Sequence, residues 1–582
     1  MSKKNQIKYT ISMESPHTHI FNVKIEVDGH IGNHIDFKMP VWTPGSYLVR
    51  EFAKNIISVS ASNKNSNLEV DKISKNTWRV VLTDVSKMEF SYQVYAYEKT
   101  VRTSYLDGEQ AMINGASVFM IPEGYENQPL ELTVEPYHQW QRITTTLDSY
   151  KGSYDKFVAR NFDDLIDCPI EVGNHQIHSF EAGGATHEYA ITSTGNVNVP
   201  TLLDDSKKIV DEIHAMFGDT PPYEHYVFFL HLTSGGFGGL EHCKSCSMIY
   251  DRNGFKNRKK YVRLLSLVSH EFFHTWNIKR IRPEELGPFD YYNEVYTNLL
   301  WIAEGVTSYY DNLFLPRCGV STIKEYFETI CDDIKRYEAI PGKDVMTVEE
   351  SSFDAWVKLY RSNENSVNTS ISYYLKGGLI IMALDLTIRD LTDGQKSMDA
   401  VYRILWDKFK DDGKGINDTT FKSVCEDVAG KPLNEIWNYL STTAPLKIQN
   451  YFEPFGLVLK PEHSTAEREK SGWFGLSIKK NNTTISTTLS TGSGYTSGLY
   501  VHDEILAING QRVSSENVKN YMENISVNEL ADFLISRDGL IKTISAKAQS
   551  IPFDKYSIEQ IEKPTARQKQ MFEGWLKQDW NA

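Results

Sequence analysis

Two histidines four residues apart, with a glutamate directly after the first, are the residues best placed to do chemistry: His270-Glu271-Phe272-Phe273-His274. On a helix, positions i and i+4 share a face, so both imidazoles can reach one ion. Zinc takes imidazole nitrogen well and in catalytic sites keeps a position open for water. Glu271 then stands beside that water and can accept its proton. The expected chemistry is hydrolysis, with one zinc ion per chain. The preceding YVRLLSLVS (261–269) is amphipathic and reaches the motif without Gly or Pro. Burying two imidazoles and a carboxylate on such a helix is unfavourable unless something polar meets them, and a metal does so. The competing reading is a chance match on a surface helix.

A tetrahedral site needs a third protein ligand. Glu304, in Trp301-Ile302-Ala303-Glu304-Gly305, stands thirty residues beyond His274, a distance that a helix–loop–helix can fold back across. Glu294 competes at twenty residues, whereas Glu284 and Glu285 follow a proline and belong to the connecting loop.

The elements that must position these groups read as several domains. A chain of 582 residues exceeds what one hydrophobic core accommodates. Up to about residue 170, β-rich and period-two runs recur (HIFNVKIEV, TWRVVL, EFSYQVYAY), separated by Gly, Asn, Asp and Pro turns, and predict a β-sandwich. From about 200 the pattern turns helical at 200–218, and YVFFLHLT (226–233) reads as a buried strand followed by a glycine-rich turn, SGGFGG (234–239). Helical candidates follow at 261–277, 293–311, 321–336, 371–391, 396–411, 418–428 and 432–440. A β-rich unit begins near 455, with tight turns expected at Asn509-Gly510 and Asp538-Gly539. The expected boundaries are 1–170, 171–454 and 455–550, with a tail at 551–582 that packs as a short helix.

Composition narrows the class. A net charge of −14 disfavours nucleic acid and anionic membrane surfaces as partners. No run approaches a membrane span, and the opening MSKKNQIKYTISMES lacks the apolar core of a secretory signal. Six scattered cysteines fit reduced thiols and a cytoplasmic location, a periplasmic or secreted mature form being the alternative. Cys243-Lys244-Ser245-Cys246 has no second pair at matching spacing and reads as two incidental thiols.

HEFFHTWNIKRIRP (270–283) followed by LWIAEGVTSYY (300–310) resembles the glycyl aminopeptidase family whose members carry a PDZ domain, zinc peptidases related to aminopeptidase N. MPVWTPGSYLVREF (39–52), RNFDDLIDCP (160–169), GGFGGLEH (235–242) and YYLKGG (373–378) resemble further segments of that family, in order along nearly the whole chain. The resemblance implies a multidomain α+β protein: an N-terminal β-sandwich, a mainly helical thermolysin-like catalytic domain and a C-terminal PDZ domain.

It also implies roles. Glu304 becomes the third ligand beside His270 and His274. Tyr374 supplies a phenol to the oxyanion, with Tyr373 as the adjacent alternative. Glu241 binds the substrate's free amino group, and Gly238 and Gly239 let the backbone approach the substrate. Leu240 and His242 depart from aminopeptidase N but match the glycyl aminopeptidases. His242 reads as structural, and Lys279, Arg280 and Arg282 receive no role. Gly475 and Leu476, in GWFGLSI, resemble the carboxylate loop of a PDZ groove, which would bind a peptide as an added strand or mediate self-association. The expected function is a zinc aminopeptidase acting on peptides with a free N-terminus and small first residues such as Gly or Ala, by Glu271-assisted attack of zinc-bound water. The alternatives are a zinc endopeptidase or carboxy-directed peptidase on the same site, and a PDZ scaffold with a vestigial metal site.

Overall fold

Alternation of apolar and polar residues decides the N-terminal region. In the computed structural model, which describes residues 6–30, 32–82, 87–218, 220–410 and 413–581, the strand Ile20–Asp28 buries Phe21, Val23, Ile25 and Val27. Lys87–Tyr95 buries Met88, Phe90, Tyr92 and Val94 in the same way and pairs with it antiparallel. Period two puts each set on one face of an eight-stranded sheet. That face meets a four-stranded sheet containing His34–Lys38 and Thr77–Val81, and Phe37 stacks on Phe90 at 3.9 Å. The result is the expected sandwich around one core. Residues 1–5, which carry the two lysines of the opening stretch, and position 411, at the end of one helical candidate, lie outside the described residues.

Five strands follow: β1 (Gln176–Ala182), β2 (Ala185–Thr192), β3 (His225–Thr233), β4 (Phe237–Glu241) and β5 (Ser245–Asp251). They form one sheet in the order β1-β2-β3-β5-β4, so β4 is an edge strand, antiparallel to β5. The glycine run expected as a turn over 234–239 is only partly one. Phe237, Gly238 and Gly239 join β4, where the ladder to Tyr250, Ile249 and Met248 pairs their backbone on one side. Helix α1 (Val199–Phe217) is capped by Asn198 and ends at Gly218, whose φ of 73° suits glycine. Helix α2 (Arg258–Phe273) starts at Asn257, whose side chain accepts from Lys260 N. These elements belong to a unit formed by Met1–Tyr296, Cys318–Val320 and Tyr402–Asn417.

A second unit comprises Thr297–Arg317, Ser321–Val401 and Asp418–Ala582. The helix expected from 293 begins only at Trp301; residues 291–298, YYNEVYTN, are mostly aromatic, β-branched or Asn, types of low helix propensity. A π-helical turn, Trp301–Gly305, leads into α3 (Val306–Arg317), and α4 (Leu375–Leu391) is a long buried helix. In the β-rich part, β6 (Leu476–Ile478) pairs with Ile485–Thr488. Both expected tight turns are present: Asn509-Gly510 has φ of 49° and 76°, and Asp538-Gly539 has 50° and 77°, the signature of a type I′ hairpin. Helix α5 (Val518–Glu523) packs against the strands Gly472–Trp473 and Glu504–Ile508. The final segment forms a strand, Lys555–Gln560, paired with Leu457–Glu462, and then α6 (Ala566–Leu576), capped reciprocally by Thr565 and Gln568. Among the described residues no helix is long and apolar enough to cross a membrane.

Candidate active site

Helix α2 carries His270 on its last turn, and His274 follows at its C-cap. Their ring centroids are 4.6 Å apart with planes at 87°. His274 is buried, and its Nδ1 lies 2.6 Å from the Asn277 carbonyl oxygen. A carbonyl only accepts, so Nδ1 carries the hydrogen and Nε2 keeps its lone pair, the tautomer a metal requires. Asn277 is itself held, its side-chain oxygen accepting from Tyr402 Oη at 3.0 Å.

Strand β4 runs against this helix. A Cβ on Gly239 would stand 2.0 Å from Glu271 Oε1, so the backbone of the edge strand lies directly on the buried Glu271 carboxylate. Glu241, two residues on and therefore on the same face, is buried at the end of the strand. Ligand-type atoms of Glu241, Glu271 and His274 all lie within 4.8 Å of one another. Two carboxylates this close repel strongly unless a cation comes between them. Such a place suits a metal ion or a substrate ammonium.

Sequence reasoning missed the groups that hold Glu241. The loop Trp42–Tyr47 of the sandwich reaches it: Gly45 has φ of 84°, and a Cβ there would meet the two Glu241 oxygens at 2.6 and 2.7 Å. The WTPGSY motif was legible, but nothing in it indicates what it touches. Asp167 anchors the turn after β4, accepting from Cys243 N at 2.8 Å and from Lys279 Nζ at 2.6 Å, with His242 Nδ1 at 3.4 Å. Burial opposes its charge, yet Lys279 and His242 hold its carboxyl far below the usual range. Lys279 is thus engaged. Arg280 donates to the carbonyls of Thr275 and Pro222, and Arg282 to that of Gly413. His242 faces Asp167 and is absent from both groups of clustered ligand atoms. Cys243 and Cys246 form no disulfide, and burial pushes the Cys243 thiol up to about 12, which keeps it unreactive.

In the second unit, Glu304 is buried in the π-helical turn, a local geometry frequent at functional sites. Gly305 and Gly377 let two backbones touch: a Cβ on Gly305 would lie 2.9 Å from Gly377 Cα. That contact sets Glu304 beside the start of α4 and Tyr374. Burial, and then the charge of Glu304, push the Tyr374 phenol well above its ordinary range, so it stays a donor. Tyr373 is fully buried and stacks on Tyr374 with centroids 4.8 Å apart.

Gly475, at φ 71°, packs its backbone on Gly492, where a Cβ would come within 2.6 Å of Gly492 Cα. Leu476 opens β6, whose second edge has no strand beside it among the described residues. A hollow of about 430 Å³ borders that edge, with Phe474, Leu476, Ile478 and Met522 among its apolar walls.

Comparison with known proteins agrees with this layout. Residues 8–174 match the Peptidase M61 N-terminal domain, 263–380 the M61 glycyl aminopeptidase, and 463–526 the PDZ domain. No curated protein matches the chain. Among solved structures, an aminopeptidase N family protein from Idiomarina loihiensis is 29% identical, with a TM-score of 0.91 over 98% of this chain and 100% of that one. An M1 zinc metallopeptidase from Deinococcus radiodurans is far more distant, 11% identical with a TM-score of 0.48 over 77% of this chain and 96% of that one. Carrying the N-terminal and peptidase domains of one family in order, with a PDZ domain after them, the chain is a metallo-aminopeptidase of the M61 glycyl aminopeptidase family.

Proposed function

We propose that this enzyme is a zinc aminopeptidase that hydrolyses the first peptide bond of peptides with a free amino terminus and a small first residue, glycine or alanine. The carrying observation is the approach of Glu241 to Glu271 and His274, with ligand-type atoms of all three within 4.8 Å of one another. A fixed carboxylate at that distance from the hydrolytic base can hold an ammonium group one residue before the bond to be cut.

His270, His274 and Glu304 would hold the zinc. Two imidazoles and a carboxylate are a donor set that zinc takes, and the hydrogen bond at His274 Nδ1 leaves Nε2 for it. When bound, the ion supplies a Lewis acid for the scissile carbonyl and lowers the pKa of a water to about 7. Glu271 takes the proton of the attacking water and returns it to the leaving nitrogen. Tyr374, kept protonated, donates to the oxygen that becomes negative. The substrate main chain adds along the free edge of β4 at Gly238 and Gly239. A cavity of about 30 Å³, with Gly45, Tyr47 and Phe289 among its walls, borders Glu241. The preference for a small first residue follows from the resemblance to the glycyl aminopeptidases. In the PDZ domain, Leu476 borders a hollow of about 430 Å³ that could take a peptide strand.

The test is hydrolysis of Gly-Ala-Phe against its N-acetylated form by zinc-loaded enzyme, with products identified by mass. Cleavage one residue in, of the free amine only, is expected, and Glu271→Gln should abolish turnover while zinc content stays at one per chain. Cleavage of both peptides would discard the exopeptidase reading.

A further inference from the structure

The two faces of β4 are occupied differently. Gly239 and Glu241 face Glu271 and the Trp42–Tyr47 loop. Gly238 and Leu240 point the other way. There Val101 packs with Leu240 and Ile249, which brings the next residue, Arg102, alongside the strand. Its Nη1 lies 3.9 Å from where a Cβ of Gly238 would be, and no other atom comes within 4 Å of that point. The Arg102 guanidinium has no carboxylate partner among the described residues, its Nε is buried without a hydrogen bond, and only its main-chain N–H is engaged, donating to Thr100 Oγ1. Other arginines of this unit differ: Arg79 is paired with Asp36, and Arg252 donates to the Leu232 carbonyl.

We propose that Arg102 is a carboxylate-binding residue for the far end of short substrates, so that the enzyme's preferred peptides are tripeptides with a free C-terminus. The inference rests on the aminopeptidase reading above, which fixes the amino terminus at Glu241. Gly238 stands three residues from Glu241 along β4, about 10 Å at the rise of a strand. A tripeptide extended along this edge, with its ammonium at Glu241, carries its carboxylate about that far, at Gly238. The planar guanidinium offers two parallel N–H donors that match a carboxylate, and its partial burial strengthens the pair. Gly238 has no side chain to stand between them. A longer peptide presents only a neutral carbonyl at that point and gains less.

The experiment compares Gly-Ala-Ala as the free acid with the same tripeptide as its C-terminal amide, on zinc-loaded full-length enzyme. The wild type should favour the acid by about tenfold or more in kcat/KM, the value of one charge-assisted hydrogen bond pair, and chiefly through KM. Arg102→Met, which keeps the aliphatic stem, should bring the ratio of acid to amide close to one, and Arg102→Lys should restore part of it. Because the readout is a ratio on one protein, a general loss of stability does not imitate it. Equal rates on acid and amide in the wild type would overturn the assignment and leave the aminopeptidase reading standing, as would an unchanged ratio in Arg102→Met. Absence of cleavage of either peptide would overturn both.

Discussion

Gly239 lies directly against Glu271: a Cβ added to the strand residue would come within 2.0 Å of the carboxylate oxygen of the helix residue. The edge strand and the hydrolytic base are therefore positioned by the absence of a side chain. Gly239→Ala must displace one of them. A shift of about 1 Å at a reacting group costs about 100-fold in rate. We expect kcat/KM for Gly-Ala-Phe to fall by at least that factor, with the zinc content measured by elemental analysis unchanged. Retained activity would mean that β4 tolerates movement and does not align the substrate.

Gly45 bears on Glu241 in the same way from the sandwich. Its φ of 84° already disfavours a side chain, and a Cβ would meet both Glu241 oxygens below 3 Å. Gly45→Ala should raise KM for peptides with a free amine more than it lowers kcat, because the amine anchor moves while Glu271 does not. A drop confined to kcat would separate the loop from amine recognition.

How far the sequence discloses this arrangement follows from the range of each contact. His270, Glu271 and His274 are legible because one helical turn sets their geometry locally. Asn277, which fixes the His274 tautomer, lies only three residues on, but a carbonyl partner leaves no trace in residue type. The sandwich was readable from alternation, and the type I′ hairpins from Asn-Gly and Asp-Gly. Glu241 looks like any acidic residue after a glycine run, and only the resemblance to a family singled it out. Gly45, Arg102 and Asp167 were silent, since their meaning lies in contacts with distant segments; Asp167 meets a lysine 112 residues away. The late start of the helix at Trp301 follows the low helix propensity of residues 291–298, which apolar periodicity does not register.

Asp167 gives a stability prediction with a definite sign. Its carboxyl is depressed in the folded state by Lys279 and His242 in spite of burial. A depressed carboxylate contributes stability above its unfolded pKa of about 4, and that contribution is lost as the pH falls below this value. Asp167→Ala leaves Lys279 buried and uncompensated, at a cost of about 3–5 kcal/mol. The variant should therefore melt well below the wild type at pH 7, and the gap should narrow towards pH 3. A constant gap across that range would show that lost packing, not the ion pair, accounts for the difference.

Lys376 carries the opposite sign. The residue is fully buried in α4, and its Nζ has no hydrogen-bond partner among the described residues. Burial lowers its pKa to about 8, with Asp344 opposing. Both folded and unfolded chains hold the proton at pH 7, and the folded chain bears the desolvation penalty of the charge. Between about pH 8 and 10.4 the unfolded lysine retains more protons than the folded one, so this residue makes stability rise with pH there, by an amount on the order of 3 kcal/mol at most. Lys376→Met preserves the volume and removes the charge. It should raise the thermal midpoint at pH 7 and abolish this contribution to the rise between pH 7 and 9.5. Parallel pH profiles for the two proteins would mean that the ammonium finds a polar partner in solution and is not desolvated.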